Sequence, residues 1–146
     1  MGIQERRERE KEELRKKILH TASNLISREG HENLTIRKLA RAIEYSPRTI
    51  YLYFHDKEHL LHEIVEEGFR RTLEMRNTEK MEDRPDSSGR DAVETFEERL
   101  RAHILSALSD PYFYRAVVTL IFEKNYEPGP AQREIIRQTK ADLAAV

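Results

Sequence analysis

Glycine and proline fall at a few places in this 146-residue chain, and the blocks between these places have helical periodicity. The main interruptions are Gly30, Pro47, residues 85–89, Pro111 and residues 128–130. Within the blocks, apolar residues recur at spacings of three and four, as in amphipathic α-helices. No long stretch alternates with the period of two that indicates a half-buried strand. The sequence therefore predicts an all-α fold.

Composition excludes several kinds of protein. The chain has no cysteine, which excludes disulfide frameworks, thiolate metal sites and cysteine nucleophiles. It has no apolar run of about 18 residues and no secretory signal in its charged first 17 residues, so we expect a cytoplasmic protein without a membrane span. Because no phosphate-binding glycine loop or recognisable catalytic arrangement occurs, we expect neither an enzyme nor a cofactor.

Charge is balanced overall but not along the chain. Lysine and arginine number 26 against 27 acidic residues, a net charge of −1. Residues 1–60 hold 13 basic and 10 acidic residues, and the remainder holds 13 and 17. A basic front half and an acidic back half suit two different tasks, although chance explains so small a difference equally well.

Two short helices joined by a tight turn are the most informative feature. Thr35 is a suitable N-cap for a helix that ends near Ile43. Ser46 as N-cap and Pro47 at the first helical position begin a second helix, which runs to about Tyr53. This is helix-turn-helix geometry, in which the second helix enters the major groove of DNA.

Longer helices are expected around this hairpin. One covers about 5–29, and its charged first part is a solvated helical extension or a loose arm. Another begins after the cap Asp56 and runs to about Arg76, and the polar residues 77–90 form a loop. Three more helices follow, over about 91–109, 111–126 and from 131 onward. The second of these is apolar nearly all round and should be deeply buried or form an interface. In the first, the residues predicted to face inward are Val93, Phe96, Leu100, Ile104 and Leu108.

The stretch ILHTASNLISREGHENLTIRKLARAIEYSPRTIYLYFHDKEHLL resembles the DNA-binding domain of TetR-family transcriptional regulators, over about residues 14–64. Its most specific part is SPRTIYLYFHDKEHLL. The resemblance implies a three-helix DNA-binding unit over 1–60, with the helix-turn-helix at about 34–53. It implies a helical ligand-binding and dimerisation region over 61–146. Family members continue through further helices, so we expect this region to be truncated or the dimer to form differently.

The resemblance also implies a function and a set of DNA-binding residues. The protein is expected to be a homodimeric repressor that binds an inverted-repeat operator in double-stranded DNA and is released by a small-molecule effector. The expected DNA-binding residues are Thr35, Arg37, Ser46, Pro47, Arg48, Thr49, Tyr51, Tyr53 and Lys57. Tyr51 and Tyr53 could instead be half-buried packing residues, and Lys57 could pair with Glu58. Arg37 is as readily explained as a solvated side chain.

Glu44 departs from the family, which usually has glycine at that place in the turn. A left-handed conformation costs a non-glycine residue about 1–2 kcal/mol. We therefore expect the turn to relax, so that Glu44 avoids a positive φ.

The sequence also contains candidate residues for two further sites. The resemblance implies an effector pocket in the back half, and its candidate lining residues are Phe96, His103, Tyr112, Tyr114 and Tyr126. Any one of these could simply pack in the core. His55, His59 and His62 have a spacing that could ligate zinc, but no further ligand completes a site, and we expect no metal.

Two other functions remain open from the sequence. The chain could be a helical ligand-binding or interaction protein that kept the hairpin but lost DNA binding. It could also be an architectural protein that binds DNA without sequence preference.

Overall fold

The computed structural model describes residues 2–81, 92–122 and 126–145, with the side chains of a few helical residues omitted. These residues form seven α-helices and a short 3₁₀ turn, without a strand, so the all-α prediction is confirmed. The helices are α1 Ile3–Glu29, α2 Ile36–Ile43, α3 Pro47–Tyr51, α4 Lys57–Met81, α5 Ala92–Ser109, α6 Pro111–Ile121 and α7 Pro130–Ala145. The loop predicted over 77–90 is partly wrong, since α4 continues to Met81; the rest of it lies outside the described residues.

Side-chain caps fix where α2, α3 and α4 begin. Thr35 Oγ1 accepts a hydrogen bond of 3.1 Å from the Lys38 backbone N–H, and Ser46 Oγ accepts one of 3.2 Å from that of Thr49. Asp56 Oδ1 accepts one of 2.7 Å from the backbone N–H of His59. Each cap satisfies an N–H that has no partner within its own helix. The three caps predicted from the sequence are confirmed.

The front helices share one apolar core. Its most deeply buried side chains are those of Ile18, Leu19, Leu39, Ile43, Ile50, Phe54 and Leu60. Arg15 on α1 pairs with Glu63 on α4, and its guanidinium lies 5.8 Å from the centre of the Phe54 ring. This contact joins the start of α4 to α1.

Helix α6 packs against both α1 and α4 and buries four side chains: Phe113, Ala116, Val117 and Leu120. A Cβ at Gly68 of α4 would lie 2.8 Å from Val117 Cγ2 and 2.9 Å from Phe113 Cε1. Only glycine permits this close approach. The burial predicted from the apolar sequence is confirmed for these four side chains only, since Tyr112 and Phe122 are exposed, and the helix ends at Ile121 rather than near Tyr126.

A buried carboxylate joins α4 to α7. Glu66 is 4% exposed, and its two oxygens accept hydrogen bonds of 2.9 Å and 3.4 Å from the backbone N–H groups of Ala131 and Gln132. A Cβ at Gly129 would lie 2.1 Å from Glu66 Cδ, so this approach also requires glycine. The carboxylate thus stabilises the positive N-terminal end of α7.

Helix α5 does not bury the face predicted to point inward. Leu100 and Ile104 are each 49% exposed and Leu108 is 68% exposed, and Phe96 is only half-buried. Together with Val93 and Leu105, the residues Leu100, Ile104 and Leu108 form what we call the α5 apolar face. The helix instead turns Ala102, His103 and Ser106 toward its neighbours. The prediction was wrong because periodicity identifies an apolar face but not the element that covers it.

Candidate nucleic-acid interface

Helix α3 has one buried side chain and exposes three of its other four. Ile50 is fully buried in the core of the front helices, which fixes the rotation of this five-residue helix. Its other side is exposed over Ser46, Pro47, Arg48 and Tyr51, and we call these four residues the outer face of α3. A short helix so arranged offers a polar and cationic surface to a partner.

The turn before α3 contains a strained residue. Glu44 has φ 61° and ψ 40°, so the prediction that it avoids a positive φ was wrong. Its N–H donates to Arg41 O at 3.2 Å, and the N–H of Tyr45 donates to Ala40 O at 2.9 Å. These bonds close the C-terminus of α2, and that closure requires a left-handed residue. The tight turn therefore keeps this geometry at the cost of strain.

Hydroxyl groups surround the start of α3. Ser46 Oγ and Thr49 Oγ1 lie 3.0 Å apart, and Ser46 is exposed while Thr49 is half-buried. Thr35 is also exposed, at the start of α2. The Thr35 hydroxyl can donate its hydrogen to a further acceptor such as phosphate, and so can one of Ser46 and Thr49, since the other donates within the pair.

Three arginines near this surface have no acidic partner among the described residues: Arg37, Arg41 and Arg48. All three are exposed. Arg41 was not among the predicted DNA-binding residues. Its spacing of four from Arg37, which places both on one side of α2, is the signal that would have found it. Lys57 is half-buried and donates to Glu32 O at 3.5 Å, so it is already partly engaged within the protein.

The two tyrosines differ in environment. Tyr51 is 51% exposed, whereas Tyr53 is half-buried beside the front core. Burial, and secondly the charge of Tyr45, raise the pKa of Tyr53 above its ordinary value. Its phenol therefore remains a hydrogen-bond donor throughout the neutral pH range.

The histidines after α3 interact with one another. The rings of His55 and His59 stack with their centres 4.1 Å apart, and His55 Nδ1 lies 2.8 Å from Asp56 Oδ2. The hydrogen bond from the His59 backbone, and then that from His55, lower the pKa of Asp56. Among the described residues, no group of three or more histidine and carboxylate side chains is arranged to hold a metal ion.

A cavity of about 190 Å³ lies between α4, α5 and α6. Its lining consists of Gly68, Phe69, Arg71, Thr72, His103, Ser106, Ser109, Asp110, Phe113, Tyr114, Val117, Val118 and Ile121. His103 Nε2 and the Tyr114 hydroxyl lie 3.1 Å apart. Burial, and then the charge of Arg76, lower the pKa of His103, which favours the neutral ring. The cavity is therefore mainly apolar, and its polar groups include the His103–Tyr114 pair and an ion pair of 3.6 Å between Arg71 and Asp110.

Three of the five predicted pocket residues do not line this cavity. Tyr112 is 53% exposed and lies against Arg28, because two residues of separation from Tyr114 put it on another side of α6. Tyr126 lies 6.0 Å from the His62 ring, beyond the end of α6. Phe96 is half-buried, two helical turns from His103, and is absent from the lining.

Comparison with known proteins finds a family similarity for part of the chain and a fold similarity for most of it. Residues 18–64 match the model of the family described as bacterial regulatory proteins, tetR family. No curated protein sequence matches the chain. No described helix has the length and apolar character needed to cross a membrane.

Solved structures share the architecture at low sequence identity. A γ-butyrolactone receptor, an ArpA-like protein, superposes with a TM-score of 0.70 and 18% identity over 92% of this chain and 68% of that one. A TetR family transcription regulator from Marinobacter aquaeolei VT8 gives 0.68 and 22%, over 95% and 69%. A structure reported as the basis for control of antibiotic production by bacterial hormones gives 0.66 and 21%, over 90% and 69%. At such identities these likenesses show the fold.

A helix-turn-helix unit continued by a helical region is the architecture of a DNA-binding transcriptional regulator. The matched residues contain all of α2 and α3 together with the first turns of α4. Over residues 18–64 the chain is thus similar to bacterial regulatory proteins of the tetR family.

Proposed function

We propose that the protein is a homodimeric repressor that binds an inverted-repeat operator and is released by a small-molecule effector. The observation that carries this proposal is the outer face of α3, which is exposed and holds Arg48 without an acidic partner among the described residues. In this proposal residues 1–60 form the DNA-binding domain and residues 61–146 the regulatory and dimerisation region.

The proposed contacts divide into two kinds. Arg48 at the tip of α3 reads a base edge, since a guanidinium can bond guanine O6 and N7 together. Thr35, Arg37, Ser46, Thr49, Tyr51, Tyr53 and Lys57 fix the register by contacts to phosphate or nearby base edges. Pro47 lies beside Arg48 and faces the bases. The major groove is about 12 Å wide and admits a helix with these side chains.

Dimerisation gives the proposal its geometry. Two adjacent major grooves on one side of the duplex are about 34–36 Å apart, so two copies of α3 must be presented at that spacing or a multiple of it. A change in the spacing abolishes simultaneous binding without altering any single contact. An effector can therefore release DNA from a distance.

Effector binding is proposed for the cavity between α4, α5 and α6. Because α4 contributes Gly68 to this cavity and is joined to α1 through Glu63, an occupant that displaces α4 also displaces the front helices. The volume of about 190 Å³ exceeds that of a cavity of about 150 Å³ that holds benzene, so a compact ligand fits. One structural neighbour is named a γ-butyrolactone receptor, which supports a small-molecule effector.

Selection of bound sites from random duplex DNA tests the DNA-binding function. The proposal predicts enrichment of an inverted repeat, and affinity for it that falls with salt at a slope of about −0.9 per phosphate contacted. No enrichment together with salt-independent binding would favour the interaction protein without DNA binding. Equal affinity for all duplexes would favour the architectural alternative.

Replacement of one arginine tests base reading. Arg48→Ala should relax the preference at one base position in each half-site, since a bidentate pair contributes about 1–3 kcal/mol of discrimination. Arg133→Ala, an equal loss of charge on α7, is the matched control and should leave the preference unchanged. Equal weakening of Arg48→Ala on selected and random duplexes would make Arg48 a phosphate contact instead.

A filled cavity tests effector binding. With γ-butyrolactone as the first probe, the unfolding temperature of the wild type should rise with ligand concentration. Val118→Trp, which fills the cavity from α6, should remove this dependence while keeping DNA binding. An unchanged response in the variant would place the ligand elsewhere.

A further inference from the structure

The first part of α1 projects from the rest of the protein. Residues 3–13 are exposed and helical, and they precede Leu14, the first residue of α1 that packs against the core. We call residues 3–13 the arm. At 1.5 Å per residue the arm extends about 16 Å beyond the core.

Ion pairs within the arm leave two cations without partners. Arg6 pairs with Glu10 at 2.9 Å and Arg9 pairs with Glu13 at 3.9 Å, each at the i,i+4 spacing that stabilises a helix. Neither Arg7 nor Lys11 forms an ion pair with a described residue. These pairs engage Glu10 and Glu13, whereas Glu8 and Glu12, like Arg7 and Lys11, form no ion pair with a described residue.

The two free cations continue the side of α1 that faces the core. Arg7, Lys11, Leu14 and Ile18 follow one another at spacings of four, three and four, and Ile18 is fully buried. Arg7 and Lys11 therefore project from the side of α1 that faces the front helices and not from its opposite side. Glu8, one position beyond Arg7, faces another side.

An open groove of about 600 Å³ lies between the arm and the end of the helix-turn-helix. Its lining consists of Arg7, Glu10, Lys11, Glu13, Leu14, Lys17, Tyr45 and Tyr53. The ammonium of Lys17 lies 5.6 Å from the centre of the Tyr45 ring, beside the turn before α3. The groove thus ends at Tyr53, one of the side chains proposed to face DNA.

We propose that this groove receives the sugar–phosphate backbone of double-stranded DNA beside the segment read by α3, with Arg7 and Lys11 each neutralising a phosphate. The inference rests on the proposed DNA-binding function. Duplex DNA carries one negative charge per about 1.7 Å of its axis, so the backbone that passes Tyr53 has phosphates within reach of the arm. Such contacts add affinity and fix orientation without reading sequence.

The salt dependence of binding counts these contacts. Affinity for a duplex recovered by selection is measured between 50 and 200 mM salt for the wild type and for the double variant Arg7→Ala, Lys11→Ala. Loss of two phosphate contacts should reduce the steepness of log affinity against log salt concentration by about 1.8. The factor by which affinity falls between 50 and 200 mM salt should then be about twelve-fold smaller in the double variant than in the wild type. At each salt concentration, the double variant should lose the same factor of affinity for a shuffled duplex as for the selected duplex. Alanine preserves the helix.

A matched control separates location from charge. Lys16→Ala with Arg133→Ala removes two exposed cations away from the groove, one on the opposite side of α1 and one on α7, and should keep the wild-type slope. Exchange of Arg7 to Lys and Lys11 to Arg retains both charges and should also keep it. Equal slopes for the wild type and the Arg7, Lys11 double variant, or an equal reduction in the control, would overturn the proposal of the arm. No salt-dependent binding by the wild type would instead remove the DNA-binding function itself.

Discussion

The front helices α1 to α4 bury apolar residues that face their shared core, whereas helix α5 exposes most of its apolar face. Among the front helices, Ile18 on α1, Ile50 on α3 and Leu60 on α4 are fully buried. On α5, Leu100 is 49% exposed and Leu108 is 68% exposed. Both regions have the helical periodicity that the sequence predicts, so periodicity determines the element and packing determines its burial. The core of the front helices continues into α6, which covers α1 and α4, whereas the α5 apolar face has no covering element among the described residues.

Truncation of a core aromatic should have the largest effect. Phe54 is 1% exposed and contacts both Arg15 and His59. Phe54→Ala should lower the free energy of unfolding by about 3–5 kcal/mol, as core aromatics do when a cavity replaces them. Denaturant unfolding followed by circular dichroism measures this. A loss below about 1 kcal/mol would show that the front core is looser than described.

The cap that joins α4 to α7 should have an intermediate effect. Glu66→Gln keeps the side-chain volume but loses the charge that two backbone N–H groups contact. The free energy of unfolding should fall by about 1–2 kcal/mol, the range for a lost N-cap. Glu97→Gln on the exposed side of α5 is the control and should change little. Equal effects of the two variants would contradict the cap.

Tyr126 should make the free energy of unfolding depend on pH in the alkaline range. Burial, and secondly the charge of Glu66, raise the pKa of Tyr126 to about 12 from an ordinary value of 10.0. The fold therefore favours the neutral phenol: the contribution is complete below pH 10 and is lost as the pH rises from about 10 to about 12. Denaturant unfolding over this range should show a smaller loss for Tyr126→Phe than for the wild type. Parallel losses would assign the pH dependence to other groups.

Relief of the strained turn should give a small gain. Glu44 has φ 61°, a conformation that costs a non-glycine residue about 1–2 kcal/mol. Glycine avoids this cost, but part of the gain is lost because glycine raises the conformational entropy of the unfolded chain. Glu44→Gly should raise the free energy of unfolding by about 0.5–1 kcal/mol. Glu44→Ala, which keeps a Cβ, should give no comparable gain. An equal gain in both would point to loss of the charge rather than relief of strain.

Substitution on the α5 apolar face should have the smallest effect. Since Leu108 is 68% exposed, Leu108→Ser removes little buried area and should change the free energy of unfolding by no more than about 0.5 kcal/mol. The measurement is repeated at several protein concentrations. A large loss that depends on concentration would show that this face is covered in solution, and the contrast between the two regions would disappear.

The sequence predicted what depends on neighbours along the chain. Thr35, Ser46 and Asp56 cap helices within three residues, so local hydrogen bonding suffices to place the starts of α2, α3 and α4. Burial of Ile50 follows in the same way, because its position within a capped helix fixes the side it faces.

Features that join distant parts of the chain were not predicted. The cap from Glu66 to α7 spans 65 residues, and no local pattern marks it. The effector pocket was placed by residue type, and only His103 and Tyr114 lie on the cavity. Glu44 was expected to relax because its side chain disfavours a left-handed backbone, yet the bonds that close α2 decide its conformation.

The central claim is that DNA meets the outer face of α3 and leaves the back helices untouched. Titration of the isotope-labelled protein with a selected duplex, followed through its backbone amide NMR signals, tests this most directly. The account predicts that the largest shifts occur over residues 46–53 and at Thr35, with no direct contact along α5. Shifts concentrated on α5 to α7, with the signals of residues 46–53 unchanged, would contradict it.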